Sequence, residues 1–137
     1  MNPFKLTIFL FITLMYGCDS NNTPKKVLNE AHSHYLSSFG WEIDSKLSER
    51  FETIRYSPEL IDNLKTAGID FSPHQGKRAV ITTYLLKEQQ TTGDKLRITV
   101  VEVNDKIIGG YGSLENWEPG LFSLNDKDRL VSEGIIR

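Results

Sequence analysis

The sequence predicts a small α+β domain, in which an N-terminal helix and a second helix pack on an antiparallel sheet ending in a three-stranded meander. Three observations predict it. Two segments, within 27–40 and 57–68, repeat apolar residues at helical spacing. Three runs rich in β-branched residues follow one another between Arg78 and Leu114 with only short turns between them. The chain's 137 residues, 39% hydrophobic and 25% charged, suit one globular domain and not a disordered chain.

The elements follow in order. In "KVLNEAHSHYLSSFGW", Val27, Leu28, Ala31, Tyr35, Leu36 and Phe39 form the stripe of an amphipathic helix that Gly40 ends. "WEID" reads as a short extended piece, and "RFETIRY" (Arg50–Tyr56) alternates as a strand does. "SPELIDNLKTAG" carries a full helix signature. Ser57 can cap, Pro58 suits the first helical position, Leu60, Ile61, Leu64 and Ala67 form the stripe, and Gly68 stops it. "RAVITTYLLKE", "KLRITVVEV" and "KIIGGYGSL" are the meander strands. "QQTTGD" is a loop of hairpin length, and Asn104-Asp105 is a two-residue turn whose residue types tolerate positive φ. In the tail, "NDKDRLVSEG" suggests a short helix.

The N-terminus is set apart from the fold. Lys5 precedes "LTIFLFITLM" (Leu6–Met15), whose length suits a signal-peptide core of about 7–15 residues rather than a membrane span of roughly 20. Gly17 and the chain's single cysteine, Cys18, follow at once. "LMYGC" resembles the lipobox of bacterial lipoproteins, although Met15 stands where leucine is usual. The resemblance implies that Cys18 is diacylated and becomes the first mature residue. The expected organisation is therefore a lipoprotein signal peptide (1–17), an acylated Cys18 with a polar tether (18–26), and one α+β domain (27–137). Two acyl chains suffice for stable attachment. The tether "DSNNTPKK" (Asp19–Lys26) spans at most ~25–29 Å, which keeps the domain close to the extracytoplasmic face of the cell membrane. No cysteine follows Cys18, so a disulfide is not expected.

Several stretches together resemble a family of small bacterial proteins, mostly lipoproteins, known as domain of unknown function 4830. They are "YLSSFGWEID" (Tyr35–Asp44), "AGIDFSPHQGKRA" (Ala67–Ala79) and "VVEVNDKIIGGYGS" (Val100–Ser113), in the family's order. Lys106 after Asp105 departs from the family's Asp-Gly turn, and the C-terminal tail is longer. The resemblance implies an exported lipoprotein domain and no particular activity.

The chemistry-bearing residues are sparse. A net charge of -2 offers no footprint for nucleic acid. His32 and His34 lie about 200° apart on a helix, so they cannot share a metal and read as solvated. His74 has no second ligand nearby in sequence and reads as a solvated loop residue; no metal or cofactor is expected. There is no G-x-S-x-G elbow. The glycines of "GGYG" (Gly109–Gly112) sit in an apparent strand, where they mark a bulge or the close approach of another backbone, and a helix could pack directly on the glycine face. Glu102, interrupting "VVEV", reads as a strand-end charge, with Arg78 or Arg97 as candidate partners.

Two readings of function follow. The first is a non-enzymatic accessory or binding module of the cell envelope, with the membrane as partner through Cys18 and an envelope protein as a second. The second is a small-ligand-binding or hydrolytic domain built on the loop "DFSPHQG". There Asp70, Ser72 and His74 bring acid, hydroxyl and imidazole together, with Trp41 and Trp117 as candidates for a shared aromatic surface.

Overall fold

The computed structural model describes residues 28–118 and 120–137; the expected signal peptide, Cys18 and the tether lie outside the described residues. The order is helix α1 (Glu30–Ser37), strand β1 (Ile43–Thr53), helix α2 (Pro58–Thr66), then strands β2 (Arg78–Gln89), β3 (Lys95–Val103), β4 (Lys106–Leu114) and β5 (Leu121–Phe122), and helix α3 (Lys127–Ser132). Short 3-10 turns at Ser72–His74 and Leu124–Asp126 precede β2 and α3. The strands form one antiparallel sheet in the order β1-β2-β3-β4-β5. The predicted α+β class and the three-stranded meander are both present.

Local chemistry sets the helix limits. Asn29 caps α1, its side chain accepting from the backbone N–H of Ala31 at 3.0 Å and of His32 at 3.3 Å. Gly40 then turns the chain at φ 84°. Ser57 Oγ accepts from Leu60 N–H at 3.3 Å to cap α2, and Gly68 follows its end at φ 96°. Asn104 and Asp105 adopt φ 51° and 60°, the mirror-type turn that matches the twist of the β3–β4 hairpin.

The first strand differs from expectation. The "WEID" piece and the strand expected at 50–56 are parts of one strand, β1, which begins at Ile43 and ends at Thr53. Ile54 continues the pairing through its backbone, giving N–H to Lys77 O and accepting from Gly76 N–H. Its side chain is fully buried. Register shifts near Asp44 and Leu47 bulge this strand twice, and Lys46, Glu49, Arg50 and Glu52 stud it with charge. Both devices keep an exposed sheet edge from pairing with other chains.

Alternation along β2 and β3 divides the core in two. Tyr84, Leu86, Leu96, Ile98 and Val100 face one side, where Leu36, Trp41, Phe122, Leu124, Leu130 and Ile136 cover them. Ala79, Ile81, Val101 and Val103 face the other, beneath Ile54, Leu64, Ile69 and Phe71. Helices α1 and α3 thus cover one face and α2 the other.

The glycines of β4 do what strand glycines do. A register shift between Val101↔Gly109 and Glu102↔Ile107 makes a bulge at Ile108. A Cβ at Gly110 would lie 2.8 Å from Thr99 O, and one at Gly112 would fall inside the Phe122 ring. At Gly112 the approaching element is therefore β5 and not a helix, while Gly110 lies against the neighbouring strand β3, with Leu124 of the turn after β5 beside it.

Candidate functional site

A buried polar cluster that joins different elements centres on His32. The third residue of α1, it shares a helix face with Leu36 and is only 1% exposed. Its expected solvation is thus overturned, because the i, i+4 spacing puts it on the stripe that α1 buries. His34, two residues on, is exposed. His32 Nδ1 lies 2.6 Å from the Tyr84 hydroxyl, and Nε2 lies 3.2 Å from Glu102 Oε2, out of line for a hydrogen bond. Burial, reinforced by the carboxylates of Glu49 and Glu102, pushes the Tyr84 hydroxyl up to about 12. It therefore stays O–H near neutral pH; its 2.6 Å contact with Nδ1 is a hydrogen bond whose donor is set by the His32 tautomer, and Nε2 faces Glu102. Glu102 does lie near its strand end, as expected, but its partner is His32 and not Arg78 or Arg97. Tyr84 and His32 are buried, and Glu102 is 20% exposed. The work of the cluster is to clasp α1 to the sheet.

The loop bearing Asp70, Ser72 and His74 is organised differently. Ile69 and Phe71 are buried and anchor it, while Asp70 and Ser72 point to solvent. Asp70 Oδ1 accepts from Ser72 N–H at 2.9 Å, and Oδ2 lies 3.6 Å from Lys65 Nζ. Hydrogen bonds from Ser72 hold the Asp70 carboxyl below its usual range, with Lys65 adding to the effect. Asp70 and Ser72 therefore meet, but His74 stays out of the group. Its Nδ1 is buried without a hydrogen-bond partner, and its backbone closes the turn through Phe71 O and Lys77 N–H.

The two tryptophans do not share a surface. Trp41 is 1% exposed; its Nε1–H donates to Leu124 O at 2.9 Å and its ring packs 5.5 Å from that of Phe122. Lys127 Nζ sits 5.0 Å over the same ring, pairs with Glu88 at 2.7 Å and bonds Gly40 O. Trp117 is 48% exposed and donates to Gln90 Oε1 at 2.9 Å. Gln90 is itself buried, and its Nε2 donates to Lys95 O and Glu115 O. Sequence reasoning missed both hubs, since each joins residues far apart in the chain.

A groove of about 290 Å³ runs between α1 and the start of β1, lined by Leu28, Ser33, Ser37, Trp41, Glu42, Ile43 and Lys87. A second, of about 190 Å³, lies between α2 and Leu121. Neither includes Asp70, Ser72 or His74. Among the described residues, no group of three or more His, Cys, Asp or Glu side chains is placed to hold a metal ion. No described helix is long and apolar enough to cross a membrane. Compared with protein-family models, curated proteins and solved structures, the chain matches none.

Proposed function

We propose that the chain is a lipoprotein whose domain is held at the extracytoplasmic face of the membrane and works there as a non-enzymatic binding module of the cell envelope. The observation that carries this reading is the placing of Cys18. It falls where the apolar run Leu6–Met15 gives way to the polar stretch Asp19–Lys26. The likeness to domain of unknown function 4830 supports the same reading. So does the state of the polar groups. His32, Tyr84 and Gln90 are sealed in the interior, and His74 stands apart from Asp70 and Ser72. A hydrolytic use of that loop has correspondingly less support.

The test is acyl labelling in a bacterial host. The wild-type chain is expected to incorporate a fatty-acid analogue and to fractionate with membranes, while Cys18→Ala accumulates as unlabelled precursor. Labelling that persists in Cys18→Ala would refute the anchor.

A further inference from the structure

Each face of the sheet is covered over part of its extent. On the face that α1 covers, Phe51, Val80, Glu102 and Ile107 pair in register across four strands. They form a row at the margin of the helix, where His32 touches Glu102. Phe51 is the most exposed large apolar side chain of the described residues, at 61%, and Val80 and Ile107 are partly exposed. Arg78, two residues before Val80 on β2, shares this face by alternation. Arg78 is exposed, and its guanidinium lies 5.3 Å from the Phe51 ring centroid.

The charges of this face complement each other without meeting. Arg78 makes no ion pair among the described residues, and Glu102 meets the imidazole of His32 but no Lys or Arg. On the sheet the two are diagonal neighbours, roughly 7–8 Å apart at the backbone. A two-fold axis turns every contact between copies into two equivalent contacts. A second copy of this face therefore offers a carboxylate to Arg78 and a guanidinium to Glu102 at once, with the apolar side chains of the row between them.

We infer that this face, with Phe51, Val80 and Ile107 at its centre and Arg78 and Glu102 beside them, joins two copies of the chain in a symmetric dimer. The charge pattern is what selects a second copy. An anionic surface would be opposed by Glu102 and by Asp105 at the strand end. The start of the described chain lies elsewhere, because Leu28 lines the groove beside Ile43, at the other end of β1. Five side chains are fewer than the roughly 20–30 residues a side of a standard interface, so the free domain dimerises weakly. The inference rests on the proposed anchoring for its setting. Copies held on one membrane meet at high effective concentration, and a weak interface suffices there.

The test leaves the anchor out, so that its result is independent of labelling at Cys18. Both buried clusters are built from residues within 36–136, so residues 19–137 carry the whole described core. In sedimentation equilibrium from about 10 µM to about 1 mM, the mass of that chain should rise toward that of two chains. Like charges set against each other oppose an interface, so Arg78→Glu should weaken association about ten-fold or more. Phe51→Ala should weaken it several-fold. Glu102→Lys should also weaken it, yet an equimolar mixture of the Arg78→Glu and Glu102→Lys chains restores both cross-pairs and should associate better than either alone. Glu102 also meets His32, so melting curves establish that Glu102→Lys folds; Arg78→Glu and Phe51→Ala change exposed side chains and test the face without it. Leu60→Ala, at an exposed position of α2, should leave association unchanged. A wild-type chain that stays monomeric at about 1 mM would overturn the inference. So would dimers that Arg78→Glu and Phe51→Ala leave intact, an equal loss in Leu60→Ala, or a mixture of folded chains that associates no better than its parts.

Discussion

Tyr84→Phe tests whether the buried clasp between α1 and the sheet holds energy or merely fills space. The substitution keeps the ring and deletes one oxygen, so little packing changes. It leaves His32 Nδ1, 2.6 Å from the lost hydroxyl and 1% exposed, with no partner. An unsatisfied buried nitrogen costs about 1–3 kcal/mol. For a domain of this size 1 kcal/mol moves Tm by about 4–8 °C, so a fall of at least 4 °C is expected. His32→Leu is expected to cost a comparable amount, since it strands the Tyr84 hydroxyl and leaves Glu102 without its partner. The double variant removes donor and acceptor together and should be more stable than the two single losses summed, by about 1 kcal/mol or more. Urea unfolding followed by the fluorescence of buried Trp41 gives all four corners of the cycle. Strict additivity would refute the clasp, because it would mean that neither side chain senses the other.

Three further outcomes follow from particular contacts. Gln90→Leu removes the amide that joins Lys95 O, Glu115 O and Trp117 Nε1 and should cost about 2–4 kcal/mol by denaturant unfolding, with proteolysis beginning in the C-terminal tail. Gly112→Ala places a methyl in the Phe122 ring and should lower stability by about 2 kcal/mol or more, with partial recovery when Phe122→Leu is added. Burial raises the hydroxyls of Tyr35, Tyr56, Tyr84 and Tyr111, and Glu52 adds to the effect on Tyr56. In the unfolded chain these groups ionise near pH 10, before they do so in the fold. Their stabilising contribution is therefore complete below pH 10 and lost above it, and melting at pH 8 to 11 should show Tm falling only at the alkaline end.

Helix ends and the meander were legible because their signals are local. Ser57-Pro58 with Gly68, and the turn Asn104-Asp105, fix their geometry from two or three neighbouring residues. The extent of β1 was not legible. Its two bulges break the alternation that identifies a strand, and its polar residues serve an exposed edge. His32 could have been read from its i, i+4 relation to Leu36, but imidazole is common on solvated faces and the pattern decides only once Tyr84 and Glu102 are known to lie opposite. The strand Leu121–Phe122 is two residues long, and what places it is the space left by Gly110 and Gly112. The docking of the tail rests on Trp41 with Leu124 and Lys127 with Glu88, contacts between residues far apart in the chain that no local window contains. The expected site loop failed for a related reason. Closeness along the chain brought Asp70 to Ser72, yet the 3-10 turn keeps His74 apart from them.

The buried polar groups and the exposed side chains can be told apart by how substitutions act. His32, Tyr84, Glu88 and Gln90 meet partners inside the protein, so changing them alters function only through the fraction folded. Their effects should track Tm and disappear where the protein is fully folded. Phe51, Lys77 and Lys106 have the opposite signature. They are exposed, and Lys77 and Lys106 have no ion pair among the described residues, so replacing them leaves Tm nearly unchanged. An envelope phenotype produced by these three at unaltered stability would locate the working surface at the Phe51 end of the sheet. A phenotype that follows Tm across both groups would instead mean that the domain acts through its fold as a whole, with no privileged end.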